Sequence, residues 1–458
     1  MSSSLRDILN RARWRDHELA ELALVVLHRG APDDRCTVFG SAIADVTATG
    51  VVLVPEAPDA EPGFLPYHRF LAVLDRQGAV LWDKAGGERA HRHEADVSCD
   101  EGREVAIEHE VLLARGAGEA TLVLDGSAGE GGGQILRTAL SLSMLTGTPF
   151  VLERIRARRP RAGLLRQHLT CVRAAAAICD AAVSGAVLGS PRLSFRPGRV
   201  RGGEHTFDIG SAGSVAMVLQ TLALPLALAP APSRVVVRGG THARWAPIAP
   251  FLEVAWLPLL RRAGAELDLQ LSAVGFHPAG GGEVVMSVRP QATLCPLHLP
   301  EPSGRLALAL DAIVAHLSQT IAEREIAVAA ARLGEPLESA RSETVASPGP
   351  GNALWLTARD PATGLSNVFS GIGERGIPAE AVAEQVVERF LDWRASRTSV
   401  EGHLADQLML PIAVAGGGSF SCDELSLHAT TNVAVIRAFT GKALRCFALG
   451  ERRFRVAV

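Results

Sequence analysis

The feature that most constrains how this 458-residue chain folds is a recurring unit of a short strand, a glycine-rich turn and an apolar helix. The first copy has its strand at Thr121–Leu124 and its turn at Gly126–Gly133, and the second has them at Thr206–Ile209 and Gly210–Ser214. A weaker third copy begins at His403–Gln407. Strands that each lead into a helix are typical of α/β proteins, and their recurrence indicates duplication. The sequence therefore predicts an α/β fold of repeated strand–turn–helix modules, each ending in a hairpin.

One segment interrupts these repeats. Residues 291–399 contain strands and helices of their own without the recurring glycine-rich turns. We therefore predict a small α/β domain at 291–399, inserted into a larger domain that comprises residues 119–290 and 400–458.

The first part of the chain has a different character. We predict a small α+β domain over residues 1–90, with a short amphipathic helix at Leu5–Trp14. The charged and glycine-punctuated residues 91–118 then indicate a linker. Alternation of apolar residues predicts four strands in the first domain, at Leu22–His28, Thr49–Val54, Phe70–Leu74 and Ala79–Trp82.

Charge and cysteine usage exclude several functional classes. The formal net charge is −3, so a polyanion would have to bind at a local patch rather than in a global basic field. Seven cysteines without a CxxC pair favour reduced thiols and a cytoplasmic location over a disulfide framework or a zinc ribbon. The longest apolar stretch, Val215–Ala229, is broken by polar residues and a proline. We expect it to be a buried helix, and we expect no membrane partner.

The densest glycine cluster, Gly126–Gly133, is a candidate anion site. A loop of this kind lets backbone N–H groups and a helix N-terminus approach a phosphate, although the GK[ST] of a P-loop is missing. Glu130 inside the loop is a possible ligand for a divalent cation, and Arg137 lies one turn into the helix. The alternative is a tight turn between core elements.

A run of arginines follows the next predicted strand. The alternation of Arg154, Arg156 and Arg158 predicts three guanidinium groups on one face of a strand, and Arg161 lies in the loop beyond them. Such a track suits a phosphate backbone, whereas the alternative is a solvated charged face.

Three further polar residues stand at predicted helix starts. Gln167 and His168 could hydrogen-bond a phosphate or ribose, or could cap the helix. His428 lies where a strand-like segment changes to a helix, and such a junction can lie at a ligand cleft. A neutral imidazole can attack phosphorus, but the residues alone do not distinguish His428 from a structural histidine.

Several long motifs resemble the RNA 3′-terminal phosphate cyclase family, over residues 121–290 and 400–456. The matching stretches, in order, are LDGSAGEGGGQILRTALSLSMLTG, RAGLLRQHLTCV, FRPGRVRGGEHTFDIGSAGSVAMVLQT, GFHPAGGGEV, LADQLMLPIAVAG and HATTNVAV. The resemblance implies an ATP-dependent ligase of the nucleotidyltransferase type, which converts an RNA 3′-phosphate into a 2′,3′-cyclic phosphate during RNA processing and repair.

The resemblance also implies a three-step reaction. A histidine attacks the α-phosphorus of ATP and releases pyrophosphate, AMP moves to the RNA 3′-phosphate to give RNA-ppA, and the vicinal 2′-hydroxyl then displaces AMP. A divalent metal ion, Mg²⁺ or Mn²⁺, and arginines offset the negative charge.

The family's functional residues can be carried over position by position. His428 matches the adenylylated histidine and Gln220 the ATP-contacting glutamine. His403 replaces a usual tyrosine, so either imidazole takes over the stacking on adenine or base affinity weakens. The loop Gly239–Pro247 also departs from the family's usual form, which leaves substrate details open. The remaining matches are the ATP-site residues Leu404, Ala405, Asp406 and Gln407, the phosphate-pocket residues Arg137, Gln167 and His168, and the metal-site residue Glu130.

Residues 1–84 resemble a small domain associated with RNA repair and proposed to recognise RNA ends with cyclic phosphates. The matching stretches are RDILNR with Trp14, LPYHR and VLW. Tyr67, His68 and Arg69 would offer a stacking face and phosphate donors. The alternative is a hairpin core with an exposed Tyr and His.

Two other functions remain open at this stage. The first is a non-catalytic cyclase-like protein that acts as an RNA-binding or ribosome-assembly factor, but such relatives lack the nucleophilic histidine. The second is an enolpyruvyl-transferase-like enzyme, against which the HATTNVAV and RQHL segments argue. We expect RNA with a 3′-phosphate end as the partner, and an oligomer is possible.

Overall fold

The computed structural model describes residues 5, 9, 22–27, 35–39, 42–47, 50–53, 64–67, 70–74, 80–83, 87–88, 102–107, 110–115, 121–442 and 444–458. The chain divides into two compact units, Met1–Cys99 and Asp100–Val458. Helices and mixed sheets in the larger unit confirm the predicted α/β class.

The smaller unit is built from antiparallel strands. They are β1 (Ala23–Leu27), β2 (Arg35–Phe39), β3 (Ile43–Val46), β4 (Gly50–Leu53), β5 (Phe64–Pro66), β6 (Phe70–Leu74), β7 (Val80–Asp83) and β8 (Gly87–Glu88). One sheet has the order β2-β1-β6-β7-β8 and the other β3-β4-β5. The four strands expected from sequence are thus confirmed as β1, β4, β6 and β7. Val26, Val51 and Phe70 share one apolar core with Leu5 and Leu9.

Of the predicted N-terminal helix and the Tyr67–Arg69 motif, the structure describes Leu5, Leu9 and Tyr67. Leu5 and Leu9 are helical, and the rest of the predicted helix Leu5–Trp14 lies outside the described residues. The Tyr67 hydroxyl donates a hydrogen bond to the carbonyl oxygen of Thr47 at 2.8 Å. This bond ties the phenol into the fold. His68 and Arg69 lie outside the described residues.

Part of the segment that we predict as linker is strand. β9 (Arg103–Glu104) and β10 (Leu112–Arg115) lie within residues 91–118. β9 pairs with a strand near the C-terminus, and β10 pairs antiparallel with the first strand of the repeats. The charged sequence hid these strands because both lie at sheet edges, where exposed polar side chains are tolerated.

The larger unit repeats the order strand, helix, strand, helix, strand, strand three times. The first module contains β11 (Leu122–Asp125), α1 (Gln134–Thr146), β12 (Phe150–Glu153), α2 (Arg166–Cys179), β13 (Ala182–Ser184) and β14 (Leu193–Arg196). The second contains β15 (Gly203–Asp208), α3 (Val215–Ala227), β16 (Ser233–Gly239), a helical segment with a π turn at Leu252–Trp256 that ends in α4 (Leu257–Arg262), β17 (Glu266–Ala273) and β18 (Gly282–Arg289).

The third module is split by the inserted domain. It begins with β19 (Leu297–His298), and the insertion then contributes β20 (Ala307–Ala315), α5 (Thr320–Leu333), β21 (Ser339–Thr344), β22 (Gly351–Arg359), β23 (Ser366–Ile372) and α6 (Ala379–Ser396). The module resumes with α7 (Gly402–Ala415), β24 (Gly418–Cys422), α8 (Leu427–Thr440), β25 (Arg445–Gly450) and β26 (Arg453–Ala457). The segment His403–Gln407, predicted to begin a strand–turn–helix copy, is therefore already helix. Residues 297–298, predicted within the insertion, belong to the repeat.

The strands of each module pair in the same way. The first two strands are parallel, with Leu122 of β11 paired with Phe150 of β12 in the first module and Gly203 of β15 paired with Ser233 of β16 in the second. The last two strands of each module form the predicted antiparallel hairpin. Helices α2, α3 and α8 pack against α1, so one apolar core runs through the three modules. This packing brings the N-terminal ends of several helices to one region.

The apolar stretch that begins at Val215 forms the predicted buried helix. Leu219, Leu222 and Leu226 of α3 are fully buried, and Pro225 lies within its last turn. None of the helices in the described part of the chain is long and apolar enough to cross a membrane.

Glu325 makes the inserted domain sensitive to pH. The side chain is fully buried in α5, where Oε2 accepts a hydrogen bond from Asn352 Nδ2 at 2.9 Å and Oε1 has no partner. Burial raises the pKa of this carboxyl from 4.5 to about 7. Because the folded state holds the proton more tightly, this contribution to stability is full below pH 4.5 and is lost as the pH rises through 7.

We therefore expect wild-type protein to lose about 3 kcal/mol more stability than a Glu325→Gln variant between about pH 4.5 and 8. Thermal unfolding of both proteins at the two pH values measures the difference. An equal pH dependence would show that Glu325 is ionised at neutral pH in the folded protein.

Candidate active site

The glycine-rich loop of the first module closes onto the start of α8. Gly129 and Gly131 have φ angles of 52° and 61°, in the region that favours glycine. A Cβ on Gly129 would lie 2.2 Å from Thr431 Oγ1, and the backbone N–H of Glu130 donates to the same oxygen at 3.0 Å. Only glycine allows this approach, which fixes the loop beside the helix that carries His428.

Glu130 connects the loop, the arginine run and the histidine. Its Oε1 forms an ion pair with Arg159 at 2.5 Å, and its Oε2 accepts from the N–H of Gly132 at 2.7 Å. The same Oε1 lies 3.9 Å from His428 Nδ1. That distance is too long for a hydrogen bond, but it leaves a carboxylate charge facing the ring.

His428 lies in the first turn of α8 and is about half exposed. Ser426 caps the helix by accepting from the N–H of Ala429 at 3.0 Å, and its hydroxyl donates to Asp406 Oδ1 at 2.7 Å. Burial lowers the pKa of His428, although the carboxylate of Glu130 acts in the opposite direction. A lowered pKa favours the neutral imidazole at pH 7, the form that carries a nucleophilic lone pair.

Within the segment Leu404–Gln407, the first two residues belong to the apolar core and the last two line a small cavity. Leu404 and Ala405 are fully buried in the apolar core, which leaves no side-chain surface for a nucleotide. The backbone carbonyl of Asp406 accepts a hydrogen bond from Asn432 Nδ2 at 3.0 Å. Burial raises the pKa of the Asp406 carboxyl to about 7. Asp406 therefore positions the start of α8, and Gln407 reaches the adjoining cavity.

A small cavity joins residues from five helical segments, which are α1, α3, the π turn, α7 and α8. It measures about 40 Å³, and its wall includes Gln220, Arg137, Asp406 and Gln407. The amide nitrogen Nε2 of Gln220 is buried without a hydrogen-bond partner. This volume has room for water but is too small for a nucleotide. It brings together Arg137, Gln220 and the adjacent pair Asp406–Gln407, three positions that are far apart in the sequence.

Gly133, His168 and Arg137 together form a polar recess, here called the anion cradle, that suits a negatively charged group. A Cβ on Gly133 would meet His168 Nε2 at 2.5 Å and Arg137 Nη1 at 2.8 Å. The N–H of Leu165 donates to His168 Nδ1 at 3.2 Å, so Nε2 carries the ring proton. Burial lowers the pKa of His168 to about 3, which keeps the ring neutral. Burial also lowers the pKa of Arg137, but a guanidinium remains charged.

Gln167 is engaged within the protein. Its Oε1 accepts from the N–H of Ser214 at 2.7 Å, and its Nε2 contacts Met217 Sδ. The side chain thereby fixes the start of α3 beside the anion cradle. In this arrangement Gln167 positions the pocket, and its amide oxygen and one amide N–H are engaged within the protein.

The arginine run does not form the predicted strand face, and that prediction is wrong. β12 ends at Glu153, and Arg154 and Arg156 then adopt φ angles of 51° and 54°, which turn the chain. Arg158 and Arg161 are exposed, and neither forms an ion pair with a carboxylate in the described parts of the chain. They remain available to an external anion.

His403 lies at the surface near His428. Its Nδ1 is 2.9 Å from Glu401 Oε2 and 2.8 Å from Arg389 Nη2. The Glu401 carboxylate raises the pKa of His403, so protonation is favoured. The side chain is 66% exposed, which leaves a ring face for an aromatic ligand.

The described residues contain no cluster of three His, Cys, Asp or Glu side chains that would hold a metal ion alone. Mg²⁺ is often held by one or two carboxylates together with substrate phosphates. Glu130, beside the anion cradle, fits such a site, provided that its Oε1 is shared with or released from Arg159.

Sequence reasoning missed one residue of this site and the role of another. Ser426 could have been recognised from the sequence, because serine directly before a helix is a preferred N-cap residue. Arg159 belongs to the arginine-rich segment 154–166, but its pairing with Glu130 had no sequence signal, because that pairing depends on how the loop folds after β12.

The fold and the site define an α/β protein of three repeated modules, with an anion pocket and an exposed histidine where helix N-termini meet. The family model for RNA 3′-terminal phosphate cyclase matches residues 128–446. The chain belongs to the RNA 3′-terminal phosphate cyclase family.

Curated relatives support this assignment. RNA 3′-terminal phosphate cyclase of Ectopseudomonas mendocina is 49% identical over 73% of this chain and 96% of its own length. The protein of the same name from Ralstonia nicotianae is 51% identical over 69% of this chain and 90% of its own length. That from Koribacter versatilis is 49% identical over 69% of this chain and 89% of its own length. A solved EPSP synthase from Acinetobacter baumannii aligns at 14% identity over 39% of this chain and 50% of that chain. Its TM-score of 0.18 supports no argument.

Proposed function

We propose that this protein is an ATP-dependent RNA 3′-phosphate cyclase with His428 as its nucleophile. The observation that carries the proposal is the half-exposed His428, whose Nδ1 faces Glu130 at 3.9 Å beside the Arg137–His168 cradle. A neutral imidazole next to a cationic phosphate pocket is suited to nucleotidyl transfer. The names of the relatives point to the same substrate class.

In the first step His428 Nε2 attacks the α-phosphorus of ATP, a P–N bond forms, and pyrophosphate leaves. The attacking imidazole becomes cationic because it keeps its Nδ1 proton, and the nearby Glu130 carboxylate stabilises that positive charge. Arg137 and the Nε2–H of His168 donate to phosphate oxygens. Mg²⁺ or Mn²⁺, held by Glu130 and phosphate oxygens, would supply further charge neutralisation.

In the next steps an oxygen of the RNA 3′-phosphate attacks the histidine-bound AMP and restores neutral His428. The vicinal 2′-hydroxyl then attacks the activated 3′-phosphate, loses its proton, and AMP leaves. Arg158 and Arg161 contact the incoming RNA backbone. His403 stacks on adenine. Gln220, Asp406 and Gln407 line the small buried cavity and position the helices that surround the ATP site.

The test uses one RNA oligonucleotide with either a 3′-phosphate or a 3′-hydroxyl end, incubated with ATP and Mg²⁺. We expect one AMP and one cyclic phosphate for each 3′-phosphate consumed, no ATP use with the hydroxyl end, and loss of activity with EDTA. RNA binding without ATP use would instead favour a non-catalytic cyclase-like factor.

We also propose that the Met1–Cys99 unit recognises RNA ends, as its resemblance implies. Residues 102–115 contribute strands to the larger unit, so a deletion should stop at residue 99. We expect this deletion to raise the KM for RNA severalfold without changing self-adenylylation. An unchanged KM for RNA would remove the end-recognition role.

A cytoplasmic location is part of the same proposal. Cys171, Cys179, Cys295, Cys422 and Cys446 are free thiols. Free thiols persist in a reducing compartment. Fractionation of the cells that make the protein tests this location.

A further inference from the structure

A large cleft lies between the inserted domain and the second module. It has a volume of about 980 Å³, which lies in the range of small-molecule and nucleotide sites. Residues 242–245 and 276–277 of the module form one side, and α5, β22 and residues 373–377 of the insertion form the other. The cleft contains none of the residues assigned above to the histidine site.

Trp245 stands at this cleft with 87% of its surface exposed. Its φ of 60° is rare for a bulky residue, and such backbone strain is found mainly at functional sites. The guanidinium of Arg244 lies 4.9 Å from the ring centroid and also pairs with Glu374. An exposed indole beside an arginine is a platform on which a nucleobase can stack.

Two buried polar atoms lie in the wall of the same cleft without hydrogen-bond partners. They are Oε1 of Glu325 and Nε2 of His242, and both residues are almost fully buried. Buried polar groups are normally satisfied, so each is an explicit candidate for a ligand group. The edge of a nucleobase carries donors and acceptors that suit a carboxyl and an imidazole.

The cleft and the anion cradle share one loop. Ala212 lines the cleft, whereas a Cβ on the adjacent Gly213 would lie 3.1 Å from Gln167. Gln167 precedes His168 of the cradle. The loop Ser211–Ser214 thus contacts the cleft on one side and the helix that carries His168 on the other, so an RNA strand whose 3′-phosphate occupied the cradle would cross this loop to enter the cleft.

We propose that this cleft binds an unpaired nucleotide upstream of the RNA 3′ end, with its base stacked on Trp245. The proposal rests on the cyclase function proposed above and adds a subsite for the substrate strand. It gives a role to the loop Gly239–Pro247, in which the sequence departs from the family's usual form.

The test compares 3′-phosphorylated RNAs of two and ten nucleotides with wild-type protein and a Trp245→Ala variant. We expect the KM for the ten-nucleotide RNA to rise about tenfold in the variant, as base–aromatic stacking predicts. Self-adenylylation without RNA should be unchanged. Trp245→Phe should restore most of the affinity, and Leu449→Ala, an exposed residue outside the cleft, should match wild type.

A ten-nucleotide RNA with 4-thiouridine near its 3′ end gives a second readout. Ultraviolet cross-links in the peptide that contains Trp245 would support the subsite. Cross-links confined to other peptides, or an unchanged KM in Trp245→Ala, would overturn it. Failure of wild-type protein to use ATP would instead overturn the cyclase function itself.

Discussion

Replacing His428 with asparagine is expected to lower self-adenylylation by at least about 10³-fold, because the variant has no nitrogen nucleophile for the α-phosphorus. The fold should be retained, since the side chain is about half exposed and contributes little to the core. The measurement is the rate of AMP transfer from ATP to the protein, with thermal unfolding as a check of folding.

The same variant separates a nucleophile from a structural residue. Supplied with pre-formed RNA-ppA, His428→Asn should still release AMP and form the cyclic phosphate, because that step does not use the histidine. His298→Asn serves as the matched control, since His298 is an exposed histidine outside the site. If His428→Asn were labelled by ATP as fast as this control, another residue would be the nucleophile.

Replacing Glu130 with glutamine is expected to lower self-adenylylation about 100-fold and to raise the metal concentration needed for half-maximal rate. The change keeps the side chain's size but removes the charge that faces His428 and pairs with Arg159. Stability should change little, because glutamine still offers an oxygen to the N–H of Gly132, and the Arg159 side chain, 41% exposed, can be solvated by water. Metal titrations of the labelling rate provide the measurement.

Glu153→Gln is the matched control for this prediction. Glu153 at the end of β12 also pairs with an arginine, Arg192 at 3.3 Å, but in the described part of the chain it forms no ion pair with His428. This control should adenylylate like wild type. Equal metal dependence in the two glutamine variants would contradict the role of Glu130 as a metal ligand.

The repeats and the glycine-rich loop could be predicted because their signals are local. Gly129 and Gly131 require left-handed backbone, and the apolar periodicity of α1 and α3 follows from burial on one core. The third module could not be recognised fully. Its first strand, Leu297–His298, has two residues and is separated from α7 by the whole insertion.

The site was predictable to the extent that it resembles a known family. Spacing alone did not distinguish His428 among fourteen histidines. Glu130, which faces its ring, comes from the first module, and Asp406, which accepts from the capping Ser426, comes from the preceding helix α7, so only tertiary packing brings these groups together. The neutral state of His168 likewise depends on burial beside Arg137, which no local pattern reports.

The central claim is that His428 carries AMP, and one labelling experiment tests it most directly. Wild-type protein is incubated with α-³²P-ATP and Mg²⁺ or Mn²⁺ without RNA, and is then separated by denaturing electrophoresis. The account predicts a labelled band that is labile in acid, stable in alkali and absent from His428→Asn. A folded wild-type protein that remains unlabelled with either metal, or a band that persists in His428→Asn, would contradict it.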